Sequence, residues 1–160
     1  MIRLFHESDI TAIKEIYNQG VMTKRATLET SEKNEADIRN WLLNRDKRFV
    51  TLVYSYQNKV IGFASISPYN SRCAYKDVAE VSIYIDVTSR SKGIGTELLN
   101  ALIIKSRENS FKKLVLFSLE KNVAGIRLYE KCGFRHVGTF LKHGVIDGVD
   151  QNINIMEKLL

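Results

Sequence analysis

The sequence predicts an α/β fold with about seven strands and about four helices, and two observations support that prediction. From Ala79 the chain alternates, with one side formed by Val81, Ile83, Ile85 and Val87 and the other by Glu80, Ser82, Tyr84 and Asp86. A period of two with β-branched residues on one side is typical of a strand that has one face in a core. The segment Thr96–Leu102 then has helical spacing and good helix formers. A strand, a short loop and a helix therefore form the centre of the predicted fold.

Six further segments have the pattern of strands. Two of them flank Gln57-Asn58-Lys59 and predict a hairpin, and one is a short, mainly apolar run that suits a strand buried on both faces. In chain order the seven predicted strands are Ile2–Phe5, Phe49–Tyr56, Val60–Ser67, Ala79–Val87, Leu114–Leu119, Phe134–Phe140 and Val149–Glu157. The last two lie on either side of Gly144–Gly148, which predicts a loop.

Four segments have helical spacing, and capping residues mark their ends. The residues expected to open them are, in order, Ser8, Asn34 or Ser31, Gly95 and Asn122. The first helix is expected to end near Gly20. The fourth is expected to end at Gly133, because glycine suits the left-handed conformation that follows many helix C-termini. The resulting order of elements is β-α-α-β-β-β-α-β-α-β-β.

Composition limits the class of protein. The chain has 160 residues, 44% of them hydrophobic and 26% charged, which suits one domain over residues 1–160. No stretch is apolar enough to span a bilayer, and the N-terminus lacks the apolar segment of a signal peptide. The two cysteines, Cys73 and Cys132, have no paired spacing, as is usual in a reducing compartment. We therefore expect a cytoplasmic protein with no membrane partner.

The net charge of +6 is concentrated in the second half of the chain. Residues 90–142 contain 11 Lys and Arg against 4 Asp and Glu. Such an excess attracts polyanionic ligands. A nucleic acid would be one, but the sequence has no nucleic-acid-binding motif and no basic helix face, so we expect no nucleic-acid partner. A solvated basic surface would explain any single lysine equally well.

The loop between the central strand and its helix is a candidate phosphate site. Gly93 and Gly95 have no side chains, and the first turn of a helix leaves backbone N–H groups unpaired and partly positive. Phosphate can therefore approach those amides closely. Arg90 and Lys92 add full positive charges at the same place. A diphosphate is the ligand that this loop suits.

Two common diphosphate motifs match poorly. The chain contains no Walker sequence. In a Rossmann fingerprint the first glycine follows the strand directly, whereas Val87–Lys92 intervene here, and the third glycine would fall at Leu98. Glu120, after the next predicted strand, does stand where a ribose-binding acid would, which keeps that alternative open.

Several ordered motifs resemble the GCN5-related N-acetyltransferases, the GNAT superfamily. R-S-K-G-I-G at Arg90–Gly95 resembles the loop that binds the pyrophosphate of coenzyme A in that superfamily. Y-K-D-V-A-E-V-S-I-Y-I at Tyr75–Ile85 resembles the strand of the branch that acetylates phosphinothricin and methionine sulfoximine, and E-I-Y-N at Glu15–Asn18 fits the same branch. N-V-A-G-I-R-L-Y-E-K-C-G-F at Asn122–Phe134 resembles a later helix of the superfamily. Together the motifs cover most of the chain in the expected order.

The resemblance implies a GNAT fold with a mixed, mostly antiparallel sheet and acetyl-CoA as co-substrate. The residues implied for acetyl-CoA binding are Ile83, Tyr84, Ile85, Arg90, Ser91, Lys92, Gly93, Ile94, Gly95, Thr96 and Asn122. Backbone N–H groups near Ile83–Ile85 would stabilise the oxyanion. Asn122 would bond the pantetheine arm, although a plain helix cap explains this residue as well. The family resemblance also implies a homodimer.

Acetyl transfer from a thioester to an amine needs a base, donors for the oxyanion and a proton for the thiolate. Glu80 is the candidate base, because it lies opposite the apolar strand face and matches the glutamate with this role in the branch. Partial burial would raise its pKa towards neutrality; an exposed or salt-bridged strand glutamate is the alternative. Tyr129 is the candidate acid. A core aromatic on a helix explains it equally well, and the branch often has histidine there.

The acceptor site is implied by the same resemblance. In the branch it is built from the loop after the first helix, the segment before the central strand and the final hairpin. The matching residues here are Thr27, Glu29, Cys73, Tyr75 and Lys76, and the Lys76 cation could hold a substrate carboxylate. The final hairpin departs from the branch, because Val145–Gln151 lacks the basic and aromatic residues usual in proteins acting on phosphinothricin-like compounds.

We therefore expect an acetyl-CoA-dependent N-acetyltransferase that acts on the primary amine of a small molecule, such as an amino acid or analogue. Two alternatives stay open: acetylation of protein or peptide amines, which needs an open groove, and a non-catalytic module that binds acyl-CoA. Glu80, Asn122 and the phosphate loop count against the second. The three histidines have no metal-binding spacing, so we expect no metal.

Overall fold

The computed structural model describes all 160 residues, and its seven strands form a single sheet. The strands are β1 (Ile2–Leu4), β2 (Thr51–Tyr56), β3 (Lys59–Pro68), β4 (Val78–Ile85), β5 (Lys113–Leu119), β6 (Arg135–Ile146) and β7 (Val149–Leu159). The helices are α1 (Ile10–Thr23), α2 (Glu35–Leu43), α3 (Ile94–Glu108) and α4 (Val123–Lys131). Short 3₁₀ turns cover Glu7–Asp9, Cys73–Tyr75 and Val87–Ser89. The predicted order of strands and helices is confirmed.

The strands lie in the order β1-β2-β3-β4-β5-β7-β6. Every neighbouring pair is antiparallel except β4 and β5, which are parallel. This confirms the mixed, mostly antiparallel sheet. The predicted β2–β3 hairpin turns at Gln57 and Asn58, whose φ angles of 48° and 62° are those of a two-residue hairpin turn.

Helices cover both faces of the sheet because apolar residues alternate along its central strands. On one face α3 packs against strand residues such as Ile66 and Leu114, in the larger hydrophobic cluster. On the other face α1 and α2 pack around Phe63 and Val53. Glu80 and Tyr84 of β4 lie on the α1–α2 face, since they alternate with Val81, which belongs to the cluster under α3.

The first helix differs from its predicted bounds at both ends. Ser8 does not cap it: the carboxylate of Asp9 accepts a backbone N–H at 2.7 Å within the 3₁₀ turn that precedes α1. The helix runs past Gly20 and ends where Lys24 adopts φ 54°. Gly20 is needed inside the helix because a Cβ there would lie 2.9 Å from the ring of Tyr84. The glycine therefore marks close packing of α1 on β4.

The ends of two strands also differ from prediction. β4 stops at Ile85, because the Asp86 carboxylate accepts the Thr88 N–H at 3.0 Å and starts a 3₁₀ turn. Val87 is consequently 46% exposed and does not belong to the core face. The predicted loop Gly144–Gly148 shrinks to Asp147-Gly148, whose φ angles of 50° and 75° suit a two-residue turn, and β6 extends accordingly.

Shortening a side chain on the buried face of α3 should destabilise the whole domain. Leu98 is 0% exposed between α3 and the sheet, so Leu98→Ala removes buried methyl groups and leaves a cavity, and should cost about 2–5 kcal/mol of unfolding free energy. Ile104 is 56% exposed on the same helix, and Ile104→Ala should cost less than about 1 kcal/mol. Urea unfolding of both variants measures the difference. Equal losses would contradict the packing of α3 described above.

Candidate active site

The two parallel strands at the centre of the sheet separate after three paired residues. β4 and β5 pair at Val78–Lys113, Ala79–Leu114 and Glu80–Val115 and no further. β5 nevertheless continues to pair with β7 up to Leu119, and β4 continues to pair with β3. A gap therefore opens between β4 and β5 in the interior of the sheet.

The gap leaves backbone N–H groups of β4 without a strand partner. Asp86, just after β4, donates its N–H to the Ile61 carbonyl of β3 at 3.0 Å. Hydrogen-bonded positions alternate along an antiparallel ladder, so Tyr84 also bonds to β3 and the odd-numbered residues face the other way. The N–H groups of Ile83 and Ile85 therefore point into the gap. They are the donors expected from the sequence for an oxyanion.

Next to the gap, α3 begins with uncapped backbone amides. Gly93 precedes the helix at φ 83°, and no side chain caps the first turn. A Cβ at Gly93 would meet nothing within 4 Å, so this position is open. Two exposed cations lie along the same loop: Nε of Arg90 donates to the Ile85 carbonyl at 3.2 Å, and Nζ of Lys92 donates to the Thr88 carbonyl at 3.0 Å. Open amides and positive charge together fit a diphosphate.

The other predicted loop residues divide between the open and the packed side of this turn. Ser91 is exposed at φ 61°, whereas Ile94 is buried and Thr96 is half-buried in the first turn of α3. Gly95 faces inwards, since a Cβ there would lie 3.1 Å from Cδ2 of Leu128 in α4. The missing side chain at Gly95 thus brings α3 and α4 close together. The sequence predicts that both Gly93 and Gly95 let phosphate approach the backbone, but only Gly93 lies on the open side of the turn.

A cavity of about 550 Å³ adjoins the gap on the α1–α2 face of the sheet. β4 contributes Glu80–Tyr84 to its lining, and Phe117 of β5 and Tyr129 of α4 form one side. The loop Ala26–Glu29 and residues of α2, among them Trp41, form the other side. The volume lies within the range of small-molecule sites, so one small acceptor would fit.

The two candidate catalytic side chains line this same cavity. Glu80 is half-buried, and burial alone raises the pKa of its carboxyl, with no salt bridge or hydrogen bond opposing the shift. Burial also raises the pKa of Tyr129 to about 12, so its hydroxyl stays protonated and able to donate at neutral pH. Its ring packs edge-on against Phe134, with centroids 6.1 Å apart. One group suited to accept a proton and one suited to donate therefore face the same space.

Asn122 caps α4 as the sequence predicts. Its side-chain oxygen accepts the Gly125 N–H at 3.1 Å. Gly125 has to be small here, because a Cβ would lie 2.5 Å from Nδ2 of Asn122. The contact with a pantetheine arm stays a prediction, for which the side-chain NH₂ remains available.

The predicted acceptor residues fall into two groups. Thr27 and Glu29 line the cavity; the Glu29 N–H donates to Oγ1 of Thr27 at 3.1 Å, and its carboxylate pairs with Lys33 at 3.4 Å. The segment of Cys73, Tyr75 and Lys76 lies outside this lining. Cys73 and Lys76 are exposed, and Tyr75 lines a second cavity of about 370 Å³.

Sequence inspection missed part of the cavity wall. Trp41 and Tyr17 were not predicted to lie at the acceptor site, yet their rings lie 5.9 Å apart and both line the cavity. Ser67 of β3 also lines it and stands opposite Glu80 in the strand register. The only signal for Ser67 in the sequence was its polar side chain near the end of a mainly apolar strand. No group of three or more His, Cys, Asp or Glu side chains is placed to hold a metal ion, and no helix has the length and apolar character to cross a membrane.

A donor that carries a diphosphate can lie in the gap while an acceptor lies in the cavity, which is the layout of a group-transfer enzyme. Comparison with known proteins identifies which chemical group is transferred. The model of the acetyltransferase (GNAT) family matches residues 12–134, and the chain belongs to this family. It is therefore an acetyltransferase, as the sequence predicts.

Individual relatives are similar along almost the whole chain. The L-methionine sulfoximine/L-methionine sulfone acetyltransferase of Salmonella typhimurium is 27% identical over 157 residues, which is 98% of this chain and 92% of that protein. The crystal structure of ribosomal-protein-alanine N-acetyltransferase from Brucella melitensis has a TM-score of 0.96 at 30% identity, covering 100% of this chain and 99% of the other. A phosphinothricin acetyltransferase from Sinorhizobium meliloti, in complex with acetyl-CoA, has a TM-score of 0.92 at 26% identity, with coverages of 100% and 88%.

The raised pKa of Glu80 predicts how its replacement changes stability with pH. A carboxyl whose folded pKa exceeds its unfolded pKa destabilises the fold once pH rises above the unfolded value. Glu80→Gln removes that ionisation, so it should raise the melting temperature at pH 7–8 and leave it nearly unchanged near pH 4 (roughly the unfolded pKa of glutamate). Glu130→Gln, on the exposed face of α4, is the matched control and should leave the melting temperature unchanged at both pH values. A melting temperature below that of the wild type for Glu80→Gln at pH 8 would contradict the interpretation that the ionised Glu80 carboxylate has no compensating partner.

Proposed function

We propose that this protein transfers an acetyl group from acetyl-CoA to the primary amine of a small molecule, such as an amino acid or an amino-acid analogue. The observation that carries the proposal is the position of Glu80: an unpaired carboxylate lines the cavity at the point where β4 leaves β5. The acceptor amine and the free amides of β4 would meet there. The names of the relatives in Salmonella and Sinorhizobium support amino-acid analogues as the first acceptors to test.

The donor would be held by backbone groups and by the basic loop. The diphosphate would lie on the first-turn amides of α3, over the open Gly93, with Arg90 and Lys92 neutralising its charge. The pantetheine arm would follow β4 along the gap, where Asn122 can donate from its side-chain NH₂ group. This arrangement places the thioester next to the N–H groups of Ile83 and Ile85.

The chemical step follows from the groups around the thioester. Glu80 takes a proton from the acceptor ammonium, directly or through a water, and the free amine attacks the carbonyl carbon. The N–H groups of Ile83 and Ile85 stabilise the oxyanion. When the tetrahedral intermediate collapses, the C–S bond breaks and Tyr129 donates its proton to the departing thiolate. The nitrogen loses its remaining extra proton to solvent, and solvent reprotonates Tyr129. No covalent bond to the enzyme is formed.

The volume of the cavity, about 550 Å³, favours a small acceptor over a protein terminus. The Brucella relative is named for a protein substrate, so acetylation of peptides is the second candidate. Here the loop Ala26–Glu29 and α2 line the side of the cavity opposite β4, and Lys33, just before α2, pairs with Glu29 of that loop. A peptide would need this side to be open. The homodimer, the cytoplasmic location and the single domain remain expectations from resemblance and composition.

Acetyl-CoA should stabilise the folded protein by mass action. At about 100 times its Kd it contributes about 2.7 kcal/mol, which for a chain of this length raises the melting temperature by about 5–10 °C. NAD and ATP should do much less. The double variant Arg90→Ala/Lys92→Ala should lose most of the shift, whereas Lys47→Ala, an exposed lysine in the loop before β2, should keep it. A larger shift with NAD than with acetyl-CoA would overturn the donor assignment.

Glu80→Gln should abolish most turnover without weakening donor binding. Glutamine keeps the shape of the side chain but cannot accept the ammonium proton, so turnover should fall by about 10²–10⁴-fold. The Kd for acetyl-CoA should stay unchanged. Because the amine must then arrive already deprotonated, the residual rate should climb with pH beyond the wild-type plateau. Release of CoA thiol against pH measures this, and equal turnover at neutral pH would exclude Glu80 as the base.

A further inference from the structure

An arginine without an acidic partner lies behind the cavity wall. Nη1 of Arg45 donates to the Ile66 carbonyl at 2.8 Å and to Oγ of Ser67 at 3.1 Å. Its Nη2 donates to Oγ1 of Thr51 at 2.6 Å and to Oγ of Ser65 at 3.0 Å. All four acceptors are neutral. A partly buried cation that is not neutralised by any carboxylate is costly, and an anion bound nearby would offset that cost.

The Arg45 charge reaches the cavity through the Ser67 hydroxyl. Oγ of Ser67 accepts one hydrogen bond from Arg45 and a second from Nε1 of Trp41 at 3.0 Å. A hydroxyl has two lone pairs and one proton, and both partners can only donate. The Ser67 hydroxyl can therefore form a further hydrogen bond only as a donor, through its proton. No protein group accepts that proton, and Ser67 lines the cavity. The result is a hydroxyl donor, polarised by a cation, that is directed at the acceptor space.

The distance between Ser67 and Glu80 matches one small class of acceptor. The two residues are direct partners in the β3–β4 register. Side chains directly opposite each other on antiparallel strands share a face, with Cβ atoms about 4.5–5.5 Å apart. An acceptor whose amine faces Glu80 would therefore place a group on the neighbouring carbon next to Ser67. In an α-amino acid that group is the carboxylate.

Other cations are poorly placed for this task. Lys33 is the one lysine or arginine in the lining of the cavity, and Glu29 already pairs with it at 3.4 Å. Lys76, the cation predicted from sequence to hold a substrate carboxylate, lies outside the lining. Among the lining residues, Ser67 is the hydroxyl that a cation polarises directly, and it stands opposite Glu80.

We propose that Ser67 binds the α-carboxylate of an amino-acid acceptor and that Arg45 is the positioning residue that polarises it. This inference rests on the proposed acetyl transfer and names its acceptor class. Arg45, which no carboxylate of the protein neutralises, would then stabilise the negative charge of the substrate carboxylate. The acceptor also gains an orientation, with its carboxylate under β3, its amine towards Glu80 and its side chain towards Trp41.

The test compares two acceptors that differ only in the carboxylate, L-methionine sulfone and 3-(methylsulfonyl)propylamine. Wild-type kcat/KM, from release of CoA thiol, should be higher for the amino acid. Ser67→Ala should lower kcat/KM for the amino acid by about 10–100-fold, mainly through KM, and by less than about 3-fold for the amine, because only the amino acid loses a hydrogen bond that Ser67 donates to a charged group. Ser67→Thr keeps the hydroxyl and should restore the preference.

Ser65→Ala is the matched control. It also removes a hydroxyl bonded to Arg45, but Ser65 is fully buried and does not line the cavity, so the preference for the amino acid should persist. An equal loss on both acceptors in Ser67→Ala, or no loss on either, would overturn the carboxylate site. Acetylation of the amine but not the amino acid would overturn it while leaving the proposed function intact. If the protein acetylates neither of these compounds, none of the protein amino acids and none of their decarboxylated amines, the proposed function itself is contradicted.

Discussion

The short pairing between β4 and β5 is the constraint on which the rest of the site depends. Each strand keeps a full ladder on its outer side, so the sheet behaves as two pieces joined only through three residue pairs ending at Glu80. Backbone amides in the interior of a sheet normally have strand partners, and leaving them open is unfavourable unless a ligand completes them. In the proposed reaction, the gap forms the donor site and Glu80 lies at the corner where donor and acceptor would meet.

Two partly buried charges at the site have no ionic partner. Glu80 has no ionic partner, and Arg45, behind the cavity wall, bonds only to neutral oxygens. A fold selected for stability alone would pair or replace such groups, since each raises the energy of the folded state. Arg45, in the loop after α2, contacts Ser67 of β3, and Glu80 stands opposite Ser67 on β4. Two such charges beside one small space are understandable if the substrate itself carries one charge of each sign. Local instability of this kind is common at functional sites.

Local features of the fold could be predicted from the sequence, and features set by distant contacts could not. The cap at Asn122 and the alternating strand before the phosphate loop follow from neighbouring residues alone. Gly95 was expected to face phosphate and instead packs on α4, because the direction of its missing Cβ depends on where that helix lies. Ser67 and Arg45 were missed for a related reason. Their meaning comes from strand register and from a hydrogen-bond network that joins residues more than 20 positions apart.

Gly20 shows how the breadth of acceptors can be controlled from outside the cavity. It lies within α1, and the ring of Tyr84 occupies the space where its Cβ would be, while the same ring lines the acceptor space. Any larger residue at this helix position would have to displace the ring or the helix. The acceptor volume is therefore coupled to a residue that touches no substrate. Over evolutionary time, such a coupling lets a lineage narrow or shift the range of amines it accepts while its catalytic groups stay unaltered.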